Sequence, residues 1–320
     1  TMTGTAKLIT AGSGNGTKPD PRGTYTLGAT TTIDFASASP VDVRLAPTYA
    51  NVIISGTDVS NGSVGTGISF QSGGTFTVID GATFKLKNTA GFSGGANTAV
   101  SSTNSPTITL GSNTSTIAYT GASQTVTGRN YTNLTIDQSS GNATLDGDAT
   151  VNKVLALAEG KLITTASFKA ITTAAGSVVR TNGWVNGNLQ RYVGTNTSAI
   201  DFPIGDAAKY TPVALTFTAP SGTGSVVVNQ TNGIHPNSAT AAISTTKRVN
   251  RYYTLTNSGV GNVNYAAVFN FDATDVLNSA NTNAFKIGNY NPTTWTYPTV
   301  GTKTATSTQA TGLTTMGDFL

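Results

Sequence analysis

The 320-residue chain has no cysteine and a single histidine, and only 10% of its residues are charged. Without cysteine there is no disulfide framework, no thiolate metal site and no thiol nucleophile, so strand pairing and packing must supply the stability. Imidazole chemistry is confined to His235. The net charge of +4 comes from 18 basic and 14 acidic residues. The basic residues are scattered, and their nearest approach to a cluster is Lys247 and Arg248 with Arg251. A nucleic-acid face needs a concentrated basic stripe interleaved with aromatics, so no nucleic-acid partner is expected. No run approaches the roughly 18 apolar residues of a membrane span. Thr1-Met2 does not open a signal peptide, and a mature or processed chain is expected.

Glycine, threonine, serine and asparagine are abundant instead. Threonine is β-branched and fits a pleated surface. Uncharged polar side chains solvate such a surface without lysine and glutamate, a balance that points to an extracellular structural protein.

Residues 106–136 have a degenerate earlier copy at residues 23–54, at an offset of roughly 84 residues. Leu110-Gly111 matches Leu27-Gly28, Ile117-Ala118-Tyr119 matches Ile33-Asp34-Phe35, and Tyr131 to Ile136 matches Tyr49 to Ile54. Leu27 with Leu110, Phe35 with Tyr119 and Ile54 with Ile136 are expected to point into one core. Each copy alternates apolar residues with Thr or Ser between Gly, Asn and Ser turns, the period of half-buried strands. A second half follows in each copy, Gly74–Ile79 with Phe84–Leu86, then Gly160–Ile163 with Phe168–Ile171. Val151 to Glu159 resembles a helical turn in composition but is read as strand, because a lone helix would interrupt a stack of units. The fold class expected is all-β, with an N-terminal β-repeat region (a β-solenoid, or else a repeat sandwich) followed by a C-terminal antiparallel β-sandwich of immunoglobulin-like or jelly-roll type.

The expected organisation is an N-terminal strand and linker over residues 1–23, a β-repeat domain over 24–175 (copies at about 24–100 and 106–173), a boundary segment over 176–199 and a sandwich over 200–320. Strands of the sandwich are expected at 212–218, 225–229, 251–256, 264–271, 284–287, 294–297 and 311–319. The first strand, Ala6, Lys7, Leu8, Ile9 and Thr10, is tethered by residues 11–16. It reads either as a cover for the open edge of its own domain or as a donor strand for the next subunit.

Several stretches occur in a familiar order: Gly176-Ser177-Val178-Val179-Arg180-Thr181-Asn182-Gly183-Trp184-Val185-Asn186-Gly187-Asn188-Leu189, Phe202-Pro203-Ile204-Gly205-Asp206, Tyr210-Thr211-Pro212-Val213 and Met316-Gly317-Asp318-Phe319. With Tyr131 to Ile136 they make the chain resemble the repetitive cell-surface proteins of Bacteroidota exported by the type IX secretion system. The resemblance implies export and a surface, adhesive or filamentous role, with no catalytic residues to carry over. Such proteins typically end in a sorting domain after a GDF-like strand, and here the sequence stops at Leu320.

Site candidates are few. His235 lies in Gly233-Ile234-His235-Pro236-Asn237, a loop by its neighbours, and no G-x-S-x-G elbow supports a triad on it. Asp146 and Asp148 flank Gly147 as in a calcium loop, but two carboxylates are more simply a solvated turn, and Asp272 with Asp275 reads the same way. Trp184, Tyr290, Trp295 and Tyr297 could form a sugar-stacking platform. Trp295 and Tyr297 alternate on one strand and so share a face, which makes them the best pair for glycan contact. The expectation is a non-enzymatic, extracellular, homopolymeric adhesin or filament subunit without cofactor. A module binding surface polysaccharide is the alternative.

Overall fold

The structure is a computed structural model that describes residues 1–11, 26–261 and 263–320. It is nearly all β, with an N-terminal β-solenoid of about nine turns and antiparallel sheet at the C-terminal end. The chain divides into two compact units, Thr1–Ile163 with Ala175–Gly183, and Thr164–Ala174 with Trp184–Leu320. The expected tether at residues 12–16 and the start of the first repeat copy lie outside the described residues.

In the first unit three parallel sheets are built from successive short strands. The first stacks Lys7–Thr10, Thr32–Phe35, Thr48–Ile54, Ser69–Val78 and Thr107–Leu110. The second contains Val41–Asp42, Val59–Ser60, Thr83–Leu86, Thr116–Tyr119, Asn130–Asp137, Ala149–Glu159 and Ser177–Arg180. The third stacks Gln124–Val126, Ala143–Leu145 and Lys161–Ile163. Register keeps like on like: Ile33, Val52 and Phe76 are successive partners, as are Leu86, Tyr119, Ile136 and Leu157. All of these are at most 4% exposed.

The two repeat copies are the same set of rungs. Thr32–Phe35 and Thr116–Tyr119 share one burial pattern, and so do Thr48–Ile54 and the first seven residues of Asn130–Asp137. The register shift after Tyr49 recurs after Tyr131. At that bulge Asn51 gives its Nδ2 proton to Thr31 O (3.1 Å) and accepts from Thr75 Oγ1 (2.8 Å). Asn133 donates to Ser115 O (3.2 Å) and accepts from Val154 N (3.0 Å). Each asparagine thus ties the rung below to the rung above where the backbone ladder slips. Phe35 packs edge-on to Tyr49, ring centres 6.5 Å apart, whereas in the second copy the hydroxyls of Tyr119 and Tyr131 hydrogen-bond at 2.9 Å and Tyr131 donates to Thr127 O.

Two expectations about the repeat are corrected. Leu27 and Leu110 are only half-buried, because Leu27 makes a lone bridge to Met2 and Leu110 lies in the last strand of its sheet. The second halves also align differently: Ser69–Val78 corresponds to Ala149–Glu159, both bulged on the preceding rung, and Thr83–Leu86 to Lys161–Ile163. Val151 to Glu159 is strand, as its place in the stack requires.

In the second unit parallel pairing persists between Ala170–Thr172 and Leu189–Val193 and between Trp184–Asn186 and Ile204–Gly205. It then gives way to antiparallel pairing of Leu189–Val193 with Gly224–Asn232. From there Arg251–Ser258, Asp318–Phe319, Asn289–Asn291 and Thr294–Thr296 follow in one sheet. A second antiparallel sheet runs Ala199–Phe202, Val213–Phe217, Tyr265–Asn270, Ser307–Leu313 and Thr299–Lys303. Phe202, Leu215, Val228, Leu255, Ala267 and Phe319 are each 2% exposed or less and form the core. Ala284–Ile287 is not a strand: Asn281 caps a short 3-10 turn, accepting from Asn283 N, and Phe285 packs against Phe271.

Candidate functional site

Most of the residues singled out for chemistry fall on the second unit, around strand Arg251–Ser258; Asp146 and Asp148 lie in the first. Its inward positions are Arg251, Tyr253 and Leu255, all buried. Arg251 therefore points into the sandwich and not to solvent, which removes it from the basic surface cluster with Lys247 and Arg248. Its Nε donates to Asp275 Oδ2 (2.8 Å), Nη1 to Thr211 Oγ1 (2.9 Å) and Gln230 Oε1 (2.6 Å), and Nη2 to Asp206 Oδ2 (3.1 Å). Lys209 reaches Asp275 at 2.5 Å. Asp275 is 6% exposed, so it is a buried ion-pair partner and not a solvated turn; Asp272 is the exposed cap of that turn, accepting from Thr274 N and Oγ1. Burial raises the Asp206 carboxyl, but the N–H groups of Ala208 and Lys209, with Arg251, outweigh it and hold the group below the usual carboxylate value. This network spends every donor it shows on a protein acceptor and holds four segments together, the 206–211 loop and those of Gln230, Arg251 and Asp275.

His235 is 3% exposed. Its Nδ1 accepts from Asn237 N (3.1 Å), which places the proton on Nε2, and Nε2 lies 2.9 Å from Asp318 Oδ2. Asp318 Oδ1 accepts from Thr254 Oγ1 at 2.6 Å. The rings of Tyr252, Tyr290 and Trp295 close around the imidazole at 5.0–5.1 Å. With the Nδ1 lone pair held by a backbone N–H and Nε2 facing a carboxylate, the imidazole has no free base to offer a nucleophile. The closing strand accounts for Gly317 and Phe319 as well: a Cβ at Gly317 would lie 2.4 Å from Tyr290 O, and Phe319 stacks on Phe269 at 4.8 Å.

The aromatic platform is rearranged. Trp295 sends its Nε1 proton to Asn237 O (3.1 Å) and Thr240 Oγ1 (3.2 Å), and the Tyr297 hydroxyl accepts from Ala242 N (2.5 Å). Both rings pin the same 237–242 segment. Trp295 is half-buried in the His235 cluster and Tyr297 is 44% exposed. Trp184 does not join them: it lies 6.2 Å from the Tyr210 ring and donates to Asp206 O at 2.8 Å. Gly205 is required beneath it, since a Cβ there would come 2.2 Å from Lys209 O. Beside Tyr290 a groove of about 540 Å³ is lined by Asn237, Thr254, Asn257, Pro292 and Asp318. Asp146 Oδ1 accepts from Gly128 N at 2.6 Å, a contact between segments 18 positions apart. Among the described residues no group of three or more His, Cys, Asp or Glu side chains is placed to hold a metal ion.

The strand at the N-terminus is placed in its own chain. Lys7 to Thr10 pair in parallel with Thr32 to Phe35, and Lys7 bonds Asp34 at 2.9 Å. Ala6, Lys7, Leu8, Ile9 and Thr10 are therefore not a donor strand held free for a neighbour; the strand covers the first edge of its own sheet, because that edge presents the register that Leu8 and Thr10 fit. Compared with known protein families, characterised proteins and solved structures, the chain matches none.

Proposed function

We propose that the chain is a non-enzymatic, exported structural subunit of a cell surface, an adhesin or filament protein that forms homopolymers through the edges of its sheets. The observation that carries this reading is the open-ended first sheet. Its inward column runs Leu8, Ile33, Val52, Phe76, Ile108. The three central residues are buried, whereas Leu8 is 36% exposed and Ile108 half-buried. Among the described residues Lys7–Thr10 has a strand partner on one side only, and Ile9 is 57% exposed. An unpaired backbone edge beside apolar side chains is a template for another chain, and a head-to-tail contact that does not close makes a fibre. Resemblance to surface proteins exported by the type IX system and the threonine-rich composition with few charged residues support the location.

The test is negative-stain imaging and sedimentation of the purified chain beside a Leu8→Lys/Ile9→Lys variant. Fibres or large particles from the first and monomers from the second are expected; a monodisperse monomer from the unmodified chain at high concentration would overturn the reading. A second reading, a module binding surface polysaccharide, is favoured by the polar groove beside Tyr290. There a glycan array should respond, and Tyr290→Ala should abolish the response while Trp295 and Tyr297 act only by holding the 237–242 segment.

A further inference from the structure

A second cavity in the sandwich unit differs in kind from the groove. It has a volume of about 300 Å³, at the lower end of small-molecule sites. Its wall is apolar, with Ile243, Phe269, Phe271, Phe285, Ile287 and Phe319. Four cations also line it, and no aspartate or glutamate does; Arg251 is neutralised by Asp206 and Asp275, which leaves Lys247, Arg248 and Lys286. Arg248 spends its guanidinium on neutral acceptors, Thr245 O, Val249 O and Asn250 Oδ1. Lys247 and Lys286 are exposed and, among the described residues, lie within ion-pair distance of no carboxylate. One further lining residue, Thr308, is 5% exposed, and its buried hydroxyl has no hydrogen-bond partner among the described residues. A polar group buried without a partner costs free energy that a polar atom of a ligand would recover.

We propose that this cavity binds an amphipathic carboxylate, an aliphatic or aryl acid whose body fills the phenylalanine-lined space, whose anionic head meets Lys247, Arg248 and Lys286, and which satisfies the Thr308 hydroxyl. Apolar lining alone would take any greasy molecule. The one-signed charge selects against cations, because an ammonium head would face three positive groups with no counter-ion. The head contact is charge-assisted and partly shielded from water, which strengthens it over an exposed ion pair.

The test is titration calorimetry of the full chain with dodecanoate, dodecanol and dodecyltrimethylammonium, all below their micellar concentrations. One equivalent of dodecanoate is expected to bind, dodecanol more weakly, and the ammonium not at all. Lys247→Gln/Lys286→Gln should weaken dodecanoate roughly tenfold while leaving dodecanol unchanged, and Thr308→Val should weaken it with the near-UV circular dichroism intact. Absence of saturable dodecanoate binding, equal binding of the ammonium, or unchanged affinity in both variants would overturn the proposal. None of these outcomes bears on fibre formation.

Discussion

Ile136 is the position at which the stacked core of the solenoid can be tested with an internal control. It is fully buried, with Tyr119 as its partner below and Leu157 above. Truncation to alanine removes the packing of both rungs and leaves a cavity that close-packed neighbours fill only in part, at a cost of about 2–5 kcal/mol. Aspartate at the same place is worse, since an unpaired carboxylate would be buried among Tyr119, Leu157 and Leu134, and local opening is its cheapest escape. In a one-dimensional stack that opening spreads first to the nearest neighbours. Even the lower bound for alanine corresponds to roughly 30-fold faster exchange of the amides concerned. Hydrogen exchange read by mass spectrometry should therefore show loss of protection in Thr116–Tyr119, Asn130–Asp137 and Ala149–Glu159, with Thr32–Phe35 and Thr48–Ile54 much less affected. Ile54→Ala, at the equivalent place in the first copy, should reverse the pattern. Equal loss in both copies, or no local loss at all, would refute the stacked-rung account.

Removing residues 1–11 should uncover Ile33 and Phe35, which are 4% and 0% exposed under the first strand, so the truncated chain should bind more anilinonaphthalene sulfonate and aggregate sooner on heating; a truncated chain as soluble and dye-free as the whole would contradict the capping role. Arg251→Met leaves Asp206 without its cation and Asp275 with Lys209 alone, and should cost about 3–5 kcal/mol in chemical denaturation, whereas Arg248→Met, at a half-buried position bonded only to neutral acceptors, should cost less. The Asp206 carboxyl is held below its unfolded value of about 3.9, so its contribution is complete above that value and is lost as pH falls through the lower, folded one; acid denaturation followed by tryptophan fluorescence should steepen below about pH 4, and Asp206→Asn should flatten that slope. Asn133→Ala should lower protection at the Val154 amide, which donates to its Oδ1, more than at Leu157.

Part of this was legible residue by residue. Period two marked the rungs, and Phe35, Tyr119, Ile54 and Ile136 are all fully buried. Arg251 was legible too, since it is in phase with Tyr253 and Leu255 on one strand; its nearness in sequence to Lys247 and Arg248 favours the surface reading, although period two assigns it to the core face. Asp275 had no such signal, because what buries it is an arginine 24 positions away. Ala284 to Ile287 alternates only over Phe285-Lys286-Ile287, and three residues are too few to outweigh the Asn281 cap. The pairing of His235 with Asp318 spans 83 positions and depends on the antiparallel order of strands, which no local pattern encodes.

The repeat itself holds a step that an alignment hides. In the first copy the strands that carry the motif, Thr32–Phe35 and Thr48–Ile54, lie in the first sheet, and the short strands between them lie in the second. In the second copy the motif strands lie in the second sheet and the short strands in the third. The later copy has therefore moved on by one sheet, and its first strand is laid on a short strand of the earlier copy, with Phe84 opposite Ile117 and Leu86 opposite Tyr119. That junction works only because Phe84 and Leu86, both fully buried, present the same inward spacing as Ile33 and Phe35. Apolar alternation in the short strands is thus fixed by two demands: filling the core of their own copy and receiving the next one. A polar residue at Phe84 would leave the first copy's motif strands paired as they are and break the register on which the second is built.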